Sequence, residues 1–499
     1  MNLDELLNLV SSDDAPSVRV DSRSIRRGDI FVAVKGTAYD GHDFINQAIA
    51  NGAKYVVCQS AAGPSNSQDT ALIIVDDSAE AAAALAQAAD GNPASCLTNL
   101  AVTGTNGKTT VAFLVQSCIQ KAGEKCGLIG TVIYDTCSGD SYQAALTTPD
   151  CLAIAARQKE MVRNGAKYMV IEASSHALSQ NRLAQVRFTA AAFTNLSGDH
   201  LDYHKTKEDY LAAKTRLFSA LTPDAVAVLN RESSEAELIA RQSHAKILWY
   251  AIDKEADIAA RIESMDVSGT VFTIGFAGRT QEVRTPLLGL YNVSNCLAAA
   301  GLCLAAGFDL KTIAVGLSTM QTIPGRLEKL EGDGFSVIID YAHTDDALKN
   351  VLVTLKPLCK GKLRVVFGCG GDRDITKRPR MARIAEQLAD FIVVTSDNPR
   401  TEDPGNIIND IVAGFEKCHP FRGKEIRNTQ YAIHNTIIVE PDRKKAIELA
   451  IRSAAKGDIV LIAGKGHEDY QIIGTQKFHF SDKETAQECL RKGIETKAG

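Results

Sequence analysis

Tryptophan occurs once in the 499 residues, aromatic residues make up 6% of them, and nowhere do 18 apolar residues run together. Without such a run no helix is expected to span a membrane. The N-terminus, Met1-Asn-Leu-Asp-Glu-Leu-Leu7, is acidic and has no apolar stretch of signal-peptide length, so a cytoplasmic location is expected. Positive charge is not in excess either: 55 Lys and Arg stand against 60 Asp and Glu, a net charge of -5. That balance gives no general attraction to nucleic acid or anionic lipid, and an anionic ligand must be held by local clusters. Cysteine is more plentiful, at 12, but the closest pair, Cys296 and Cys303, is seven apart. The Cys-x-x-Cys spacing of zinc and redox sites is missing, and buried, reduced thiols are expected.

The chain is too long for one core, and the usual domain size suggests about three domains. Short apolar runs alternate with helical patterns throughout. Asp29–Val34, Tyr55–Val57 and Leu72–Val75 read as strands of an N-terminal α/β domain, 1–97, with a linker near Gly91-Asn-Pro-Ala94. Lys167–Ile171, Ala191–Thr194 and Ala225–Leu229 belong to a central domain, 98–325. Ser336–Asp340, Leu363–Phe367, Phe391–Val394 and Asp458–Ala463 follow the turn Pro324-Gly-Arg326 and form a third domain, 326–499. Apolar strands separated by helices imply parallel sheets covered on both faces, with ligands at the strand C-terminal ends.

The most informative stretch is Ala101-Val-Thr-Gly-Thr-Asn-Gly-Lys-Thr-Thr110. A buried strand through Leu100–Val102 runs into a glycine turn and then a helix from Thr109. Loop amides without side chains in the way can converge on phosphate oxygens, Lys108 supplies a point charge, and the Thr109 hydroxyl can reach Mg2+. Val102 stands where the strict phosphate-loop pattern has a glycine, so the match is to a shorter variant. The bland alternative is a glycine turn with a solvated lysine.

Polar residues gather at the other strand ends. Glu172-Ala-Ser-Ser-His176 closes one central strand and Thr194-Asn-Leu-Ser-Gly-Asp-His-Leu-Asp-Tyr-His204 another, with Thr147-Thr-Pro149 between them. A carboxylate at Glu172 and an imidazole at His200 are candidate Mg2+ ligands beside Thr109. In the third domain the ends are Asp340-Tyr-Ala-His343, Gly368-Cys-Gly-Gly-Asp-Arg-Asp374, Asp397-Asn-Pro-Arg400 and Gly464-Lys-Gly-His-Glu468.

Thr-Gly-Thr-Asn-Gly-Lys-Thr, Glu-Ala-Ser-Ser-His, Asp-His-Leu-Asp-Tyr-His, Tyr291-Asn-Val-Ser-Asn295, Pro-Gly-Arg and Asp-Tyr-Ala-His occur in the order seen in the Mur ligase family, and the resemblance covers essentially the whole chain. It implies three domains: a small α/β domain for the UDP-linked substrate, a mostly parallel-sheet ATPase-like domain, and a Rossmann-like doubly wound domain for an amino acid. It implies a monomeric, cytoplasmic ATP-dependent amide ligase of peptidoglycan precursor synthesis, with ATP and Mg2+. Gly371-Asp-Arg-Asp374, Asp397-Asn-Pro-Arg400 and Gly464-Lys-Gly-His-Glu468 resemble the motifs of members that add meso-diaminopimelate to UDP-N-acetylmuramoyl-L-alanyl-D-glutamate.

By this resemblance ATP is held by Gly104, Thr105, Asn106, Gly107, Lys108, Thr109, Thr110, Asn295, Arg326 and Asp340. Mg2+ falls to Thr109, Glu172, His200 and Lys214, the last as a carbamate formed from an uncharged amine and CO2. Lys108, Lys214 and His200 are the catalytic candidates. Val20, Ser22, Thr147, Thr148, Ser174, Gln180 and Arg182 are expected at the UDP-muramoyl dipeptide. Arg373, Asp397, Asn398, Pro399, Arg400, Gly464 and Glu468 are expected at diaminopimelate, whose second zwitterionic centre suits a guanidinium for its carboxylate and Glu468 for its ammonium. L-Lysine would leave Arg400 unpaired.

Three alternatives stay open at this point: an L-lysine-adding ligase, a folylpolyglutamate synthetase type of ligase, and a non-catalytic ATP-binding scaffold. One departure concerns position 345, where the family usually has proline and this chain has Asp345, which is expected to cap the following helix.

Overall fold

The computed structural model describes residues 1–12, 14–36, 39–60, 69–197, 201–320, 322–417, 421–422 and 436–498. Among them the backbone forms sheets of four, eleven, seven and two strands. In the first, Val18–Arg19, Ile30–Val32, Tyr55–Cys58 and Ala71–Ile74 lie in that order, all parallel.

The second sheet has Thr98–Thr103 near its middle, paired in parallel with Phe188–Phe193 on one side and Tyr168–Glu172 on the other. Period-two alternation explains why its centre, Leu100–Val102, is apolar. Leu100 and Val102 enter the core on one face and Ala101 the core on the other, so neither face is left for polar residues. Its parallel centre is extended at both edges by antiparallel strands. Ile258–Asp266, Gly269–Phe276 and Arg279–Thr285 form one edge, Ile133–Asp135 and Ser141–Gln143 the other.

The third sheet runs in the order Glu328–Glu331, Ser336–Asp340, Ile459–Ala463, Leu363–Phe367, Phe391–Val394, Thr436–Val439, Phe421–Arg422. Only its first pair is antiparallel. Val365 and Phe367 face one core and Val366 the other, each side chain contributing roughly 1.5–3 kcal/mol of burial. Arg364 Nε donates to Asp458 Oδ2 at 2.7 Å in the interior and ties two neighbouring strands together where they start.

Helix starts follow local capping chemistry. Asp150, Thr206, Asp309 and Asp442 each accept a first-turn amide. At Asp345 the expectation is corrected: Thr344 is the cap, accepting from Ala347 N at 3.3 Å, and Asp345 sits in the first turn with Oδ2 2.6 Å from Arg380 Nε. A carboxylate there still favours the helix through the macrodipole. Gln87 Nε2 to Gln158 Oε1 at 2.7 Å, Asn181 Nδ2 to Asp77 Oδ2 at 2.8 Å and Lys159 Nζ to Asp90 Oδ1 at 3.0 Å are among the bonds that join the first domain to the central one.

Candidate active site

The strand Thr98–Thr103 passes into the helix Lys108–Lys121 through a turn that only glycine permits at two points. Gly104 has φ +146° and Gly107 φ +90°, and a Cβ on them would strike Thr194 Oγ1 and Asn295 Oδ1 respectively. The turn is held from the neighbouring strand's end. Asn195 Oδ1 accepts from Asn106 N at 3.0 Å, and Thr194 Oγ1 donates to Asn106 O at 2.6 Å. Lys108 Nζ donates to the carbonyls of Gly104 and Thr105 at 3.0 and 2.9 Å. Lys214, from the helix Lys207–Ser219, donates to the same Gly104 carbonyl at 2.9 Å and lies 4.3 Å from the Tyr210 ring centroid. The Lys108 ammonium and a helix N-terminus at one loop form a well of positive potential suited to phosphate.

Behind the loop lies a carboxylate. Glu172 is fully buried and accepts from Thr109 Oγ1 at 3.0 Å, Thr131 N at 2.8 Å and Thr131 Oγ1 at 3.0 Å. Gly130 leaves Glu172 Oε1 the room that a Cβ would take. A buried carboxylate flanked by hydroxyls is a hard, all-oxygen donor set, which fits Mg2+ completed by phosphate and water. Among the described residues no group of three His, Cys, Asp or Glu could hold a metal by itself. His200 lies outside the described residues.

Arg326 reaches in from the third domain and donates from Nη2 to Thr109 Oγ1 at 3.1 Å, with its guanidinium 4.7 Å from the Tyr341 ring centroid. Asp340 clamps this turn, accepting from Leu327 N and Ala342 N at 2.8 Å each. Burial pushes its carboxyl above the usual range, against the pull of Arg326. Burial, reinforced by Arg326, lowers the nearby His467 to about 4, so its ring is neutral at physiological pH.

The second polar cluster gathers at the strand ends of the third sheet. Asp397 and Asn398 are buried, Asn398 Nδ2 donates to Glu468 Oε2 at 2.9 Å, and Lys465 forms an ion pair with Asp397 at 3.1 Å. Burial works to raise the Asp397 carboxyl, but Lys465 and Arg443 overcome it and hold the group below its usual range. Glu468 goes the other way, raised by burial and by Asp397. Arg400 has φ +52°, a strained value for a non-glycine residue, and is fixed there by Arg400 N to Ile472 O at 3.1 Å and Nη1 to Gly371 O at 2.6 Å. Gly464 has φ +119°, and a Cβ on it would stand 3.2 Å from Asp397 Oδ2.

Both clusters open onto one cleft of about 810 Å³. Of the expected residues, Lys108, Thr147, Thr148, Ser174, Arg182, Lys214, Arg373, Asp397, Asn398, Arg400, Gly464 and Glu468 line it. Gln180 stands one step back, accepting from Arg182 Nε and Nη2 at 2.9 and 2.6 Å, while Arg182 Nη1 donates to Thr148 O at 2.7 Å. Asn295 braces the phosphate loop at Gly107, and Thr109 and Thr110 are buried beneath it. Pro399 contributes its carbonyl beside Gly371. Val20 and Ser22 are not among the lining residues; Ser22 Oγ donates to Gln47 Oε1 at 2.8 Å inside the first domain.

Four participants were not expected from sequence. Thr131 grips Glu172 twice, yet a lone threonine after a glycine carries no signal. Lys465 and His467 lie inside Gly464-Lys-Gly-His-Glu468, where the flanking residues drew the attention. Arg443, paired with Asp482 at 2.7 Å beneath the second cluster, is an ordinary helix residue in sequence.

Three family models match the chain: Mur ligase family, catalytic domain, over 16–90; Mur ligase middle domain over 102–303; and Mur ligase, glutamate ligase domain, over 325–466. The chain is 43% identical over 506 residues to the UDP-N-acetylmuramoyl-L-alanyl-D-glutamate--2,6-diaminopimelate ligase of Gloeobacter violaceus, covering 99% of this chain and 98% of that one. It is 42% identical over 487 residues to the ligase of the same name from Geobacillus kaustophilus, covering 96% and 95%. A solved structure of a ligase of this name superposes with a TM-score of 0.68 at 32% identity, covering 99% of both chains.

Proposed function

The chain belongs to the Mur ligase family, and on that premise we propose that it is the ATP-dependent ligase joining meso-diaminopimelate to UDP-N-acetylmuramoyl-L-alanyl-D-glutamate. The observation that carries this reading is the cleft itself. The phosphate loop and the Asp397–Arg400 cluster face one space, as a reaction between a phosphorylated carboxylate and an amine requires. The reaction would run in the cytoplasm on a monomer; among the described residues no helix is long and apolar enough to cross a membrane.

The γ-phosphate is attacked by a carboxylate oxygen of the dipeptide, ADP leaves with the electrons of the broken P–O bond, and an acyl phosphate results. The amine of diaminopimelate adds to its carbonyl carbon, the nitrogen loses a proton, and the tetrahedral intermediate expels phosphate to leave an amide. The protein does little covalent work in this sequence; it positions the groups and neutralises their charge. Lys108 and the loop amides hold the β- and γ-phosphates. Asn295 and Arg326 secure the nucleotide from either side of the hinge, and Arg326 leaves Thr109 when it does so. Mg2+, held by Glu172, Thr109 and His200, with Lys214 as its carbamate, would draw charge from the phosphate oxygens. Thr147, Thr148, Ser174 and Arg182 orient the dipeptide, with Val20 and Ser22 at the uridine end.

At the other wall, Arg400 and Arg373 present guanidinium groups to a carboxylate while Asp397 and Glu468 present acceptors to an ammonium, with Asn398 Nδ2 holding Glu468 in place. L-Lysine would satisfy only the second set. The reading is tested with 18O in the dipeptide carboxylate: the product should carry the mass of the added diaminopimelate, and the released phosphate one labelled oxygen. ATP cleavage with neither would contradict it.

A further inference from the structure

Lys465 has no exposed surface, yet it sits at the centre of the second cluster. Its Nζ donates to Asn398 Oδ1 and to the Tyr470 carbonyl at 2.8 Å each, and forms an ion pair with Asp397 Oδ1 at 3.1 Å. An ammonium has three hydrogens and no acceptor, and two of them are used by the hydrogen bonds to Asn398 and Tyr470 while Asp397 is held by charge. Glu468 Oε2 is the next neighbour, at 3.7 Å. Asp397, Asn398, Gly464 and Glu468 line the cleft and Lys465 does not. Whatever Lys465 does for a ligand, it does through those residues.

Two consequences follow from this placement. The first concerns the Asn398 amide, whose oxygen is claimed by Lys465 Nζ and by Ile472 N at 3.0 Å. The amide nitrogen is thereby turned toward Glu468 Oε2 at 2.9 Å. The second concerns charge. Asp397, Arg400, Arg443, Lys465, Tyr341 and Tyr470 are the ionisable groups that face Glu468. Arg443 is engaged by Asp482 through two bonds of 2.8 and 2.7 Å, which leaves Lys465 as the cation shared between the carboxylates of Asp397 and Glu468. Two buried carboxylates without such a cation do not both stay ionised. A protonated Glu468 would no longer attract an ammonium.

We propose that Lys465 is the positioning residue of the amino-acid pocket, fixing the Asn398 amide and keeping Glu468 ionised to receive a substrate ammonium. This rests on the reading of that pocket as the diaminopimelate site. Burial and Asp397 already raise the Glu468 carboxyl, and Lys465 is the first group opposing them. Removing the cation takes away that opposition and favours the protonated form, which a higher pH counteracts.

The test uses the full-length enzyme with ATP and the UDP-muramoyl dipeptide, comparing wild type, Lys465→Met and Lys465→Arg from pH 7 to 9. Lys465→Met should raise KM for meso-diaminopimelate about 30-fold at pH 7 while leaving KM for ATP within about 2-fold. The excess should shrink as the pH rises, and Lys465→Arg should recover most of the affinity. Lys465→Gln, which keeps a donor for Asn398 and removes only the charge, gives the same reading if the methionine variant does not fold. An unchanged KM, or a loss equal for both substrates and independent of pH, overturns the proposal. Failure of the wild type to add meso-diaminopimelate would overturn the pocket reading itself.

Discussion

In the central domain Lys108 and Lys214 both donate to the Gly104 backbone carbonyl, whereas in the third domain Lys465 is paired with Asp397 and Arg443 with Asp482. The difference follows from what each side has to hold. A polyphosphate brings several negative charges and none positive, so a site for it needs cations and backbone donors gathered at one loop. Diaminopimelate is a zwitterion, and a site for it needs both signs, each held apart from the other by internal pairing. The first site is built mainly from backbone, the second from buried side chains. The phosphate side should therefore fail abruptly when one cation is lost, and the amino-acid side by graded loss of affinity.

The largest effect is expected at Lys108. Lys108→Ala should lower product formation at least about 10^3-fold, roughly 4 kcal/mol of transition-state stabilisation, with the thermal midpoint little changed. Substantial residual ligation would remove the contrast. Lys214→Ala should be nearly as damaging, but added formate or acetate should restore part of the activity if a carbamate is the working group; a flat response to such acids points to a packing role.

Arg400→Ala sharpens the comparison on the other side. KM for meso-diaminopimelate should rise about 10^2-fold, near 2.7 kcal/mol, with KM for ATP nearly constant. Parallel changes in the two constants would place Arg400 away from the amino acid. The smallest effect lies at the seam between the regions. Burial and Arg326 hold His467 at about 4, below its unfolded value, so the unfolded chain binds more protons between about pH 4 and 6.5. Its contribution is complete above that window and is lost as the pH falls through it, by at most about 1.4 kcal/mol per pH unit. The thermal midpoint of His467→Gln should fall less steeply with acid than that of wild type, and parallel curves would remove this assignment.

The same contrast decides how much could be read from sequence. A backbone-built site leaves its mark in glycines at fixed offsets, and Gly104, Gly107, Lys108 and Thr109 stand where that pattern places them. Strands buried on both faces, such as Ile459–Ala463, are apolar without interruption and were legible for the same reason. The edge strands were not. Ser141–Gln143 is exposed along its length, and Arg279–Thr285 is largely exposed, so neither shows a sustained apolar run. Lys465 and Arg443 were missed because a buried cation and a solvated one are the same letter. Only the partners brought by folding, Asp397 and Asp482, distinguish them.

The central claim is that one cleft couples a phosphate loop to a pocket for a doubly zwitterionic amino acid. The most direct measurement is product mass with phosphate release in the presence of ATP, Mg2+ and the UDP-muramoyl dipeptide, comparing meso-diaminopimelate, L-lysine and no amino acid. The account predicts product and sustained phosphate release with meso-diaminopimelate alone. Equal product from L-lysine would contradict the role given to Arg400, and phosphate release indifferent to the amino acid would contradict the coupling itself.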